Sequence, residues 1–177
     1  MKSKNILRII LILLVLSLNI GCDQVSKSIV RNKMGYFTYV QVAGKYFTLS
    51  KVENSGAFLS LGDSLPKAVK IILLNLVPLV VIVIGLVFII RKTDLDRVIL
   101  IGLVLAIGGG IGNLYDRIVH GSVTDFMHVD FVIFQTGIFN VADLSITTGV
   151  FIMLIRALLA RKKEGEQIKD ISTGDHV

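Results

Sequence analysis

Long apolar stretches, separated by shorter polar segments, dominate the pattern of this chain. Four of the stretches contain no Asp, Glu, Lys or Arg: 9–22, 71–90, 98–115 and 144–155. A helix needs about 20 mostly apolar residues to cross the roughly 30 Å hydrocarbon core of a bilayer. With their flanking turns, the stretches predict four transmembrane helices over about 6–29, 66–90, 96–118 and 141–161.

Composition supports the membrane interpretation and excludes several other classes. The 177 residues are 53% hydrophobic and 18% charged, with a mean hydropathy of +0.76, which is too apolar for a soluble domain of this size. A single cysteine excludes a disulfide framework, and two prolines exclude a proline-rich linker protein. Residues 161–177 are rich in Lys, Glu, Gly and Asp, so we expect a solvated polar tail over 163–177.

The net charge of +6 is concentrated at the predicted helix ends rather than in a patch suited to nucleic acid. Basic clusters precede the first helix, separate the second from the third and follow the fourth: Lys2, Lys4 and Arg8; Arg91, Lys92 and Arg97; Arg161, Lys162 and Lys163. The positive-inside rule makes these clusters cytoplasmic, with 23–70 and 117–143 on the outer side. Because the first outer segment also carries lysines and an arginine, this topology rests mainly on the last two clusters.

Three predicted helices carry ionisable residues at the same depth near their outer ends. Counting about 20 residues from each basic anchor reaches Asp23 and Lys27, then Asp116 and Arg117, and finally Asp143. Asp23 has Lys27 one turn later. The spacing of Asn113, Asp116 and Arg117 is that of a hydrogen-bonded surface cluster on one helix.

Asp143 has no such local partner, because the nearest base on its helix is Arg156, more than three turns away. A second carboxyl is one candidate partner: Asp125 lies in an apolar setting in the same outer segment, and Asp130 is a weaker alternative. The simpler alternative is that Asp143 only caps the N-terminus of its helix. Two carboxyls that share a desolvated site cannot both ionise easily, so one stays protonated while the other acts as a base. Such a pair hydrolyses peptides without a cofactor or metal.

Other features of the sequence have competing explanations. The basic N-terminus, apolar core and Leu18–Cys22 resemble a lipoprotein signal, although Asn19 stands where an aliphatic residue is expected. Ser26 beside Lys27 is more typical of a helix surface than of a Ser-Lys catalytic pair. The chain has no His-Glu-x-x-His zinc motif. Gly108 and Gly112 form a small-x-x-x-small pair that predicts close helix packing rather than a nucleotide loop.

Five ordered motifs together resemble the bacterial lipoprotein signal peptidase (signal peptidase II) family. They are Asp23-Gln24-Val25-Ser26-Lys27, Asn54-Ser55-Gly56-Ala57-Phe58, Gly112-Asn113-Leu114-Tyr115-Asp116-Arg117, Val123-Thr124-Asp125-Phe126 and Phe139-Asn140-Val141-Ala142-Asp143. The resemblance spans nearly the whole chain. It implies a cofactor-free, metal-free intramembrane aspartyl endopeptidase that cuts diacylglyceryl-modified prolipoproteins just before the lipidated cysteine.

The resemblance also implies the roles of individual residues. It makes Asp125 and Asp143 catalytic, and it makes Asn54, Asn113, Arg117 and Asn140 the polar lining of the substrate site. The remaining motif positions are supporting residues: Asp23, Lys27, Gly56, Gly109 and Asp116. The expected partners are prolipoproteins and membrane lipids, with a monomeric enzyme in the bacterial inner membrane, residues 1–162 as one domain and both termini cytoplasmic.

The family's fold adds a small β-rich cradle between the first two helices, and residues 36–62 are compatible with it although their alternation is ragged. Its lysines are suited to phosphate head groups. Two departures stand out: Gly110 replaces a common Ala, and Gln135-Thr136-Gly137-Ile138 replaces a common Trp-Pro. We therefore expect the 128–138 loop to be a mobile flap over the carboxyls.

A different class of function is a small four-helix transporter or lipid-binding membrane protein. In that case Asp143 and Asp116 would bind protons or cations, and Asp125 would be dispensable.

Overall fold

Four long helices form the body of the protein: α1 (Ser3–Lys33), α2 (Lys67–Arg91), α3 (Arg97–Val119) and α4 (Val141–Gly174). The computed structural model describes the backbone of residues 3–36, 38–57, 62, 64–131 and 133–174, and side chains within 5–162. Over that part of the chain, four helices are long and apolar enough to cross a membrane. The predicted helical membrane fold is therefore confirmed.

The ends of α3 follow from its flanking residues. Before the helix, the Asp96 carboxylate accepts hydrogen bonds from the backbone N–H groups of Val98 and Ile99, which satisfies two otherwise unpaired donors. Asp96 also pairs with Arg156 of α4 at 2.9 Å. After the helix, Gly121 adopts a φ of 79°, the left-handed conformation that commonly ends a helix at glycine.

A π-helical stretch from Ile71 to Leu76 interrupts α2. Pro78 lies just after it and has no backbone N–H, so the regular bond to the carbonyl four residues earlier cannot form. The N–H of Val77 instead donates to Ile72, five residues back. A π turn widens a helix locally and is frequent at functional sites.

The fourth helix is longer than the predicted 141–161, because α4 continues as helix through Gly174. This segment contains neither Pro nor an internal helix-breaking glycine pair, and its Lys and Glu residues are good helix formers. The helix begun in the apolar span can therefore extend into polar sequence.

Glycines on α3 let two other helices approach closely. A Cβ at Gly108 would lie 2.6 Å from the Asn19 amide of α1, and a Cβ at Gly112 would lie 2.5 Å from the Asp23 carboxylate. On another face, a Cβ at Gly109 would collide with the Ala142 carbonyl oxygen of α4. The close-packing role predicted for Gly108 and Gly112 is confirmed, with α1 as the partner.

A three-stranded antiparallel sheet joins two distant parts of the chain. Its order is β1 (Tyr39–Ala43), β2 (Phe47–Asn54) and β3 (Val123–Val129). The cradle between α1 and α2 supplies the first two strands, as expected, but the sequence did not predict β3 as a strand. Register shifts within both strand pairs explain the ragged alternation of the cradle.

The sheet delivers polar residues to the ends of the helices. Asn54, the last residue of β2, pairs with Val123, the first residue of β3. β3 begins four residues after α3 ends, so this end of the sheet lies beside the end of α3. Asp125 is thereby held in a strand rather than in a loop.

Candidate active site

Asp125 is 4% exposed and accepts an amide hydrogen bond on each of its oxygens. Asn140 Nδ2 donates to Oδ1 at 2.6 Å, and Asn54 Nδ2 donates to Oδ2 at 3.0 Å. Removal of water from this carboxyl, together with the nearby charge of Asp143, raises its pKa from 3.8 to about 6. Asp125 is therefore much easier to protonate than an exposed aspartate.

Asp143 lies in the first turn of α4 and forms a reciprocal cap with Asn140. The Asp143 N–H donates to Asn140 Oδ1 at 2.9 Å, while the Asn140 N–H donates to Asp143 Oδ2 at 3.2 Å. Two unpaired donors of the helix end are satisfied in this capping box. Asp143 does cap its helix, but the alternative that it only caps the helix is wrong, because its Oδ1 also accepts a hydrogen bond from Asn113 and it lines a cavity with Asp125.

Asn140 joins the two carboxyls into one unit, hereafter the carboxyl pair (Asp125 and Asp143). Its side-chain Nδ2 bonds Asp125, and its backbone N–H bonds Asp143. Asn140 itself is fully buried, so its orientation is fixed. The structure thus brings together the two carboxyls that the sequence suggested as partners.

A cavity of about 500 Å³ adjoins the carboxyl pair. Its polar lining includes Asn54, Asn113 and Arg117 as well as both carboxyls. The rest of the lining is mainly apolar. Its larger side chains come from α2, in and just after the π-helical stretch, and from α4: Leu73, Leu74, Pro78 and Ile146. An apolar cleft with a few convergent polar groups is the usual form of a ligand site.

Gly56 is held in place by two polar side chains of the site. Its N–H donates to Asn54 Oδ1 at 3.0 Å, and its carbonyl accepts a hydrogen bond from Arg117 Nη2 at 3.0 Å. Because Asn54 Oδ1 is engaged in this way, the Asn54 amide must direct its NH2 group toward Asp125. The Gly56 loop therefore sets the orientation of one partner of the carboxyl pair.

Lys27 lies between two carboxylates in a fully buried ion cluster. Its Nζ is 2.8 Å from Asp23 Oδ2 and 2.9 Å from Asp116 Oδ2, and all three side chains have 0% exposure. The surface cluster predicted for Asp116 is therefore wrong. Asp116 turns toward α1, whereas Arg117 turns away toward Gly56, because neighbouring residues of a helix point in different directions.

Asn113 connects this ion cluster to the carboxyl pair. Its Oδ1 accepts from Lys27 Nζ at 2.9 Å and from Asn140 Nδ2 at 3.2 Å. Its Nδ2 donates to Asp143 Oδ1 at 2.8 Å. Asp23 makes a second connection, since its Oδ1 accepts the Ala142 N–H at 2.9 Å, next to Asp143.

Two further members of the ion cluster were missed by sequence reasoning. Gln24 Nε2 donates to Asp23 at 3.0 Å and to Asp116 at 3.1 Å. Arg31 donates to Asp116 Oδ1 and to Thr124 Oγ1, each at 2.7 Å. Arg31 lies four residues after Lys27, so a shared helix face was the signal available in the sequence.

Other candidates from the sequence lie outside the site. Asp130 is at the opposite end of β3 from the carboxyl pair, where its N–H bonds Tyr46. Ser26 donates to the Asp23 carbonyl of its own helix at 2.8 Å, so it forms no pair with Lys27. The transporter alternative made Asp116 a site for protons or cations. In the structure its carboxylate is already paired with Lys27 and Arg31.

The expected flap over 128–138 does not cover the carboxyl pair. Hydrogen bonds join Thr136 to Val129 and the backbone of Phe139 to that of Met127. The segment therefore folds back along β3. Its described part continues the sheet away from Asp125. None of its described residues lines the cavity.

Comparisons with a family model and with known sequences point to the same family. The model of the signal peptidase (SPase) II family matches residues 12–159. The lipoprotein signal peptidase of Streptococcus pneumoniae is 35% identical over 159 residues, 89% of this chain and 95% of that protein. The lipoprotein signal peptidase of Pseudomonas syringae pv. tomato is 36% identical, over 85% of this chain and 87% of that protein. The lipoprotein signal peptidase of Bacillus subtilis is 33% identical, over 84% of this chain and 94% of that protein.

Solved structures agree on the fold. A bacterial membrane enzyme determined by the in meso method at 2.3 Å resolution superposes with a TM-score of 0.77 at 24% identity, covering 86% of this chain and 90% of that one. A second such structure, at 1.9 Å, gives a TM-score of 0.74 at 23% identity, covering 83% and 92%. With its four membrane-spanning helices and a family match over most of its length, the chain belongs to the signal peptidase II family of lipoprotein signal peptidases.

Proposed function

We propose that this membrane peptidase is an aspartyl endopeptidase that removes the signal peptide of diacylglyceryl-modified prolipoproteins immediately before the lipidated cysteine. The observation that carries the proposal is the carboxyl pair, bridged by Asn140 and facing one cavity. Family membership supports prolipoproteins as the substrates. The reaction needs neither a metal nor a cofactor.

In the proposed reaction, Asp125 is the acid and Asp143 is the base. The raised pKa of Asp125, about 6, supports its role as the protonated member. A water molecule attacks the peptide carbonyl carbon and loses a proton to Asp143, while Asp125 gives its proton to the carbonyl oxygen. Asp143 then gives its proton to the leaving nitrogen and the C–N bond breaks. As the C=O bond re-forms, the hydroxyl derived from the carbonyl oxygen returns its proton to Asp125, which restores both carboxyls.

The lining of the cavity supports a membrane-embedded substrate. Leu73, Leu74 and Pro78 on α2 and Ile146 on α4 give it apolar walls, and Arg117 and Asn54 lie at its polar end. We infer that the signal peptide enters between α2 and α4, with its scissile peptide at the polar end. Arg117 and Asn113 would then meet backbone carbonyls of the extended substrate, whereas Asn54 lines this end and holds Asp125.

The proposed topology follows from the basic clusters at the helix ends. It puts both termini in the cytoplasm and the carboxyl pair toward the outer face of the bacterial inner membrane. Residues 1–162 would form one peptidase domain and function as a monomer, followed by the polar 163–177 segment.

The test is cleavage of a lipidated precursor by Asp125→Asn and Asp143→Asn. Each variant should lose cleavage by several orders of magnitude, because the two groups act as a unit. Asp130→Asn is the matched control, since it removes a carboxyl from the far end of the same strand and should cleave normally. Cleavage by either pair variant that approaches the rate of the control would disprove the mechanism, provided that both variants show the thermal transition of a folded protein.

A further inference from the structure

The turn at the far end of β3 carries an apolar tip, defined here as Phe131, Ile133 and Phe134. Asp130 and Gln135 form a β-bridge that closes the turn. Within it, the Phe131 N–H donates to Phe134 O at 2.8 Å. These backbone hydrogen bonds define the path of the described part of the turn.

The tip is highly exposed for an apolar segment. Ile133 is 97% exposed, and Phe131 and Phe134 are 58% and 60% exposed with their rings stacked 5.9 Å apart. A rigid turn that presents three large apolar residues together marks a contact surface rather than scattered surface variation.

The surroundings of the tip have the composition of a membrane–water boundary. The Asp130 N–H donates to Tyr46 O at 2.9 Å, so the tip lies beside the β1–β2 turn. Tyr46 is 53% exposed, and Lys45 Nζ lies 5.6 Å from its ring. Tyrosine and lysine are side chains that keep an apolar body near the acyl chains and a polar end among the head groups.

The attachment of the sheet points to lipid as the occupant. The other end of the sheet lies at the ends of α3 and α4, where membrane spans meet water. Asn54 and Phe47 are seven positions apart along β2, a reach of about 23 Å at about 3.3 Å per residue. The tip is thus a rigid extension of an element that already starts at the bilayer boundary.

We propose that the apolar tip inserts into the leaflet on the side of the carboxyl pair and anchors the far end of the sheet. The ligand is phospholipid at the boundary between head groups and acyl chains. Because β2 and β3 also carry Asn54 and Asp125, the anchor fixes the sheet at both ends, by the helices on one side and by lipid on the other.

The absence of tryptophan from the chain allows a direct test. Ile133→Trp introduces a sole tryptophan at a position that is 97% exposed, so the substitution displaces no packed neighbour. The variant is reconstituted in phosphatidylcholine–phosphatidylglycerol vesicles, with and without lipids brominated in the upper acyl chain. Asp94→Trp, in the exposed polar loop between α2 and α3, is the matched control.

The expected result is blue-shifted emission from Trp at 133 that brominated lipid quenches, corresponding to a depth of about 5–10 Å in the boundary region. The control should emit as in water and resist quenching. Emission at 133 equal to the control would overturn the proposal. A blue shift without quenching, or one that disappears as the protein is diluted in lipid, would also overturn it, because the tip would then be buried against protein. The measurement needs no turnover, so it is independent of the proposed catalytic mechanism.

Discussion

Ionisation of Asp125 should make the folded protein less stable as pH rises, because folding raises the pKa of this carboxyl from 3.8 to about 6. Below about pH 4 the group is protonated in both the folded and unfolded chains, and it costs nothing. Above about pH 6 it is ionised in both, and the buried charge is penalised only in the folded state. At about 1.36 kcal/mol per pKa unit, the difference corresponds to about 3 kcal/mol.

Asp125→Asn isolates this contribution, since the amide does not ionise. The substitution also carries a constant cost. The Asn54 and Asn140 amides cannot turn over, because their oxygens are engaged by the N–H groups of Gly56 and Asp143. One of them must therefore face the new NH2 group, an unsatisfied contact that costs about 1–3 kcal/mol at every pH. The variant should be less stable than wild type at pH 4 and equal or more stable at pH 7.5.

Thermal unfolding of both proteins in one detergent, from pH 4 to pH 8, measures the difference. Groups that do not interact with Asp125 affect both curves alike, so the gap between the curves reports Asp125 together with its coupling to Asp143. At about 2–4 °C per kcal/mol, the Tm of the variant should rise by about 6–12 °C relative to wild type across this range. Parallel Tm curves would refute the reasoning, because they would mean that Asp125 titrates normally in the folded protein.

Two more substitutions test the packing beneath the carboxyl pair. Gly109→Ala should reduce both stability, by about 1–3 kcal/mol, and cleavage, because its Cβ collides with the backbone next to Asp143. Gly110→Ala, whose Cβ meets only Ile82 at 3.4 Å, should keep the wild-type Tm in thermal unfolding. Lys27→Met should cost about 3–5 kcal/mol, because it leaves the buried Asp23 carboxylate without a cation and Asp116 with Arg31 alone. Lys33→Met, at the exposed end of α1, is its control; equal stability of the two variants would contradict the role of the buried ammonium.

The helices and the pairing of Asp23 with Lys27 were predictable because both depend on local spacing. The apolar runs set the four spans, and four residues separate the members of the ion pair. β3 was not predictable from the same kind of pattern. Its partner β2 lies about 70 residues earlier, and the register of the pair depends on a bulge that local alternation does not reveal. The predicted surroundings of Asp116 were wrong for a related reason, since its charged partners lie on α1 and not beside it in sequence.

The ammonium of Lys27 determines the orientation of a side chain that touches the carboxyl pair. An ammonium only donates hydrogen bonds, so the Asn113 oxygen must face Lys27, and the Asn113 NH2 group must then face Asp143. Asp143 Oδ1 therefore accepts a hydrogen bond from Asn113, which holds this carboxyl in one orientation at the cavity. The ion cluster holds the start of α4 through Asp23 as well. The same buried charges that stabilise helix packing thus also impose the hydrogen-bond direction on which the proposed chemistry depends.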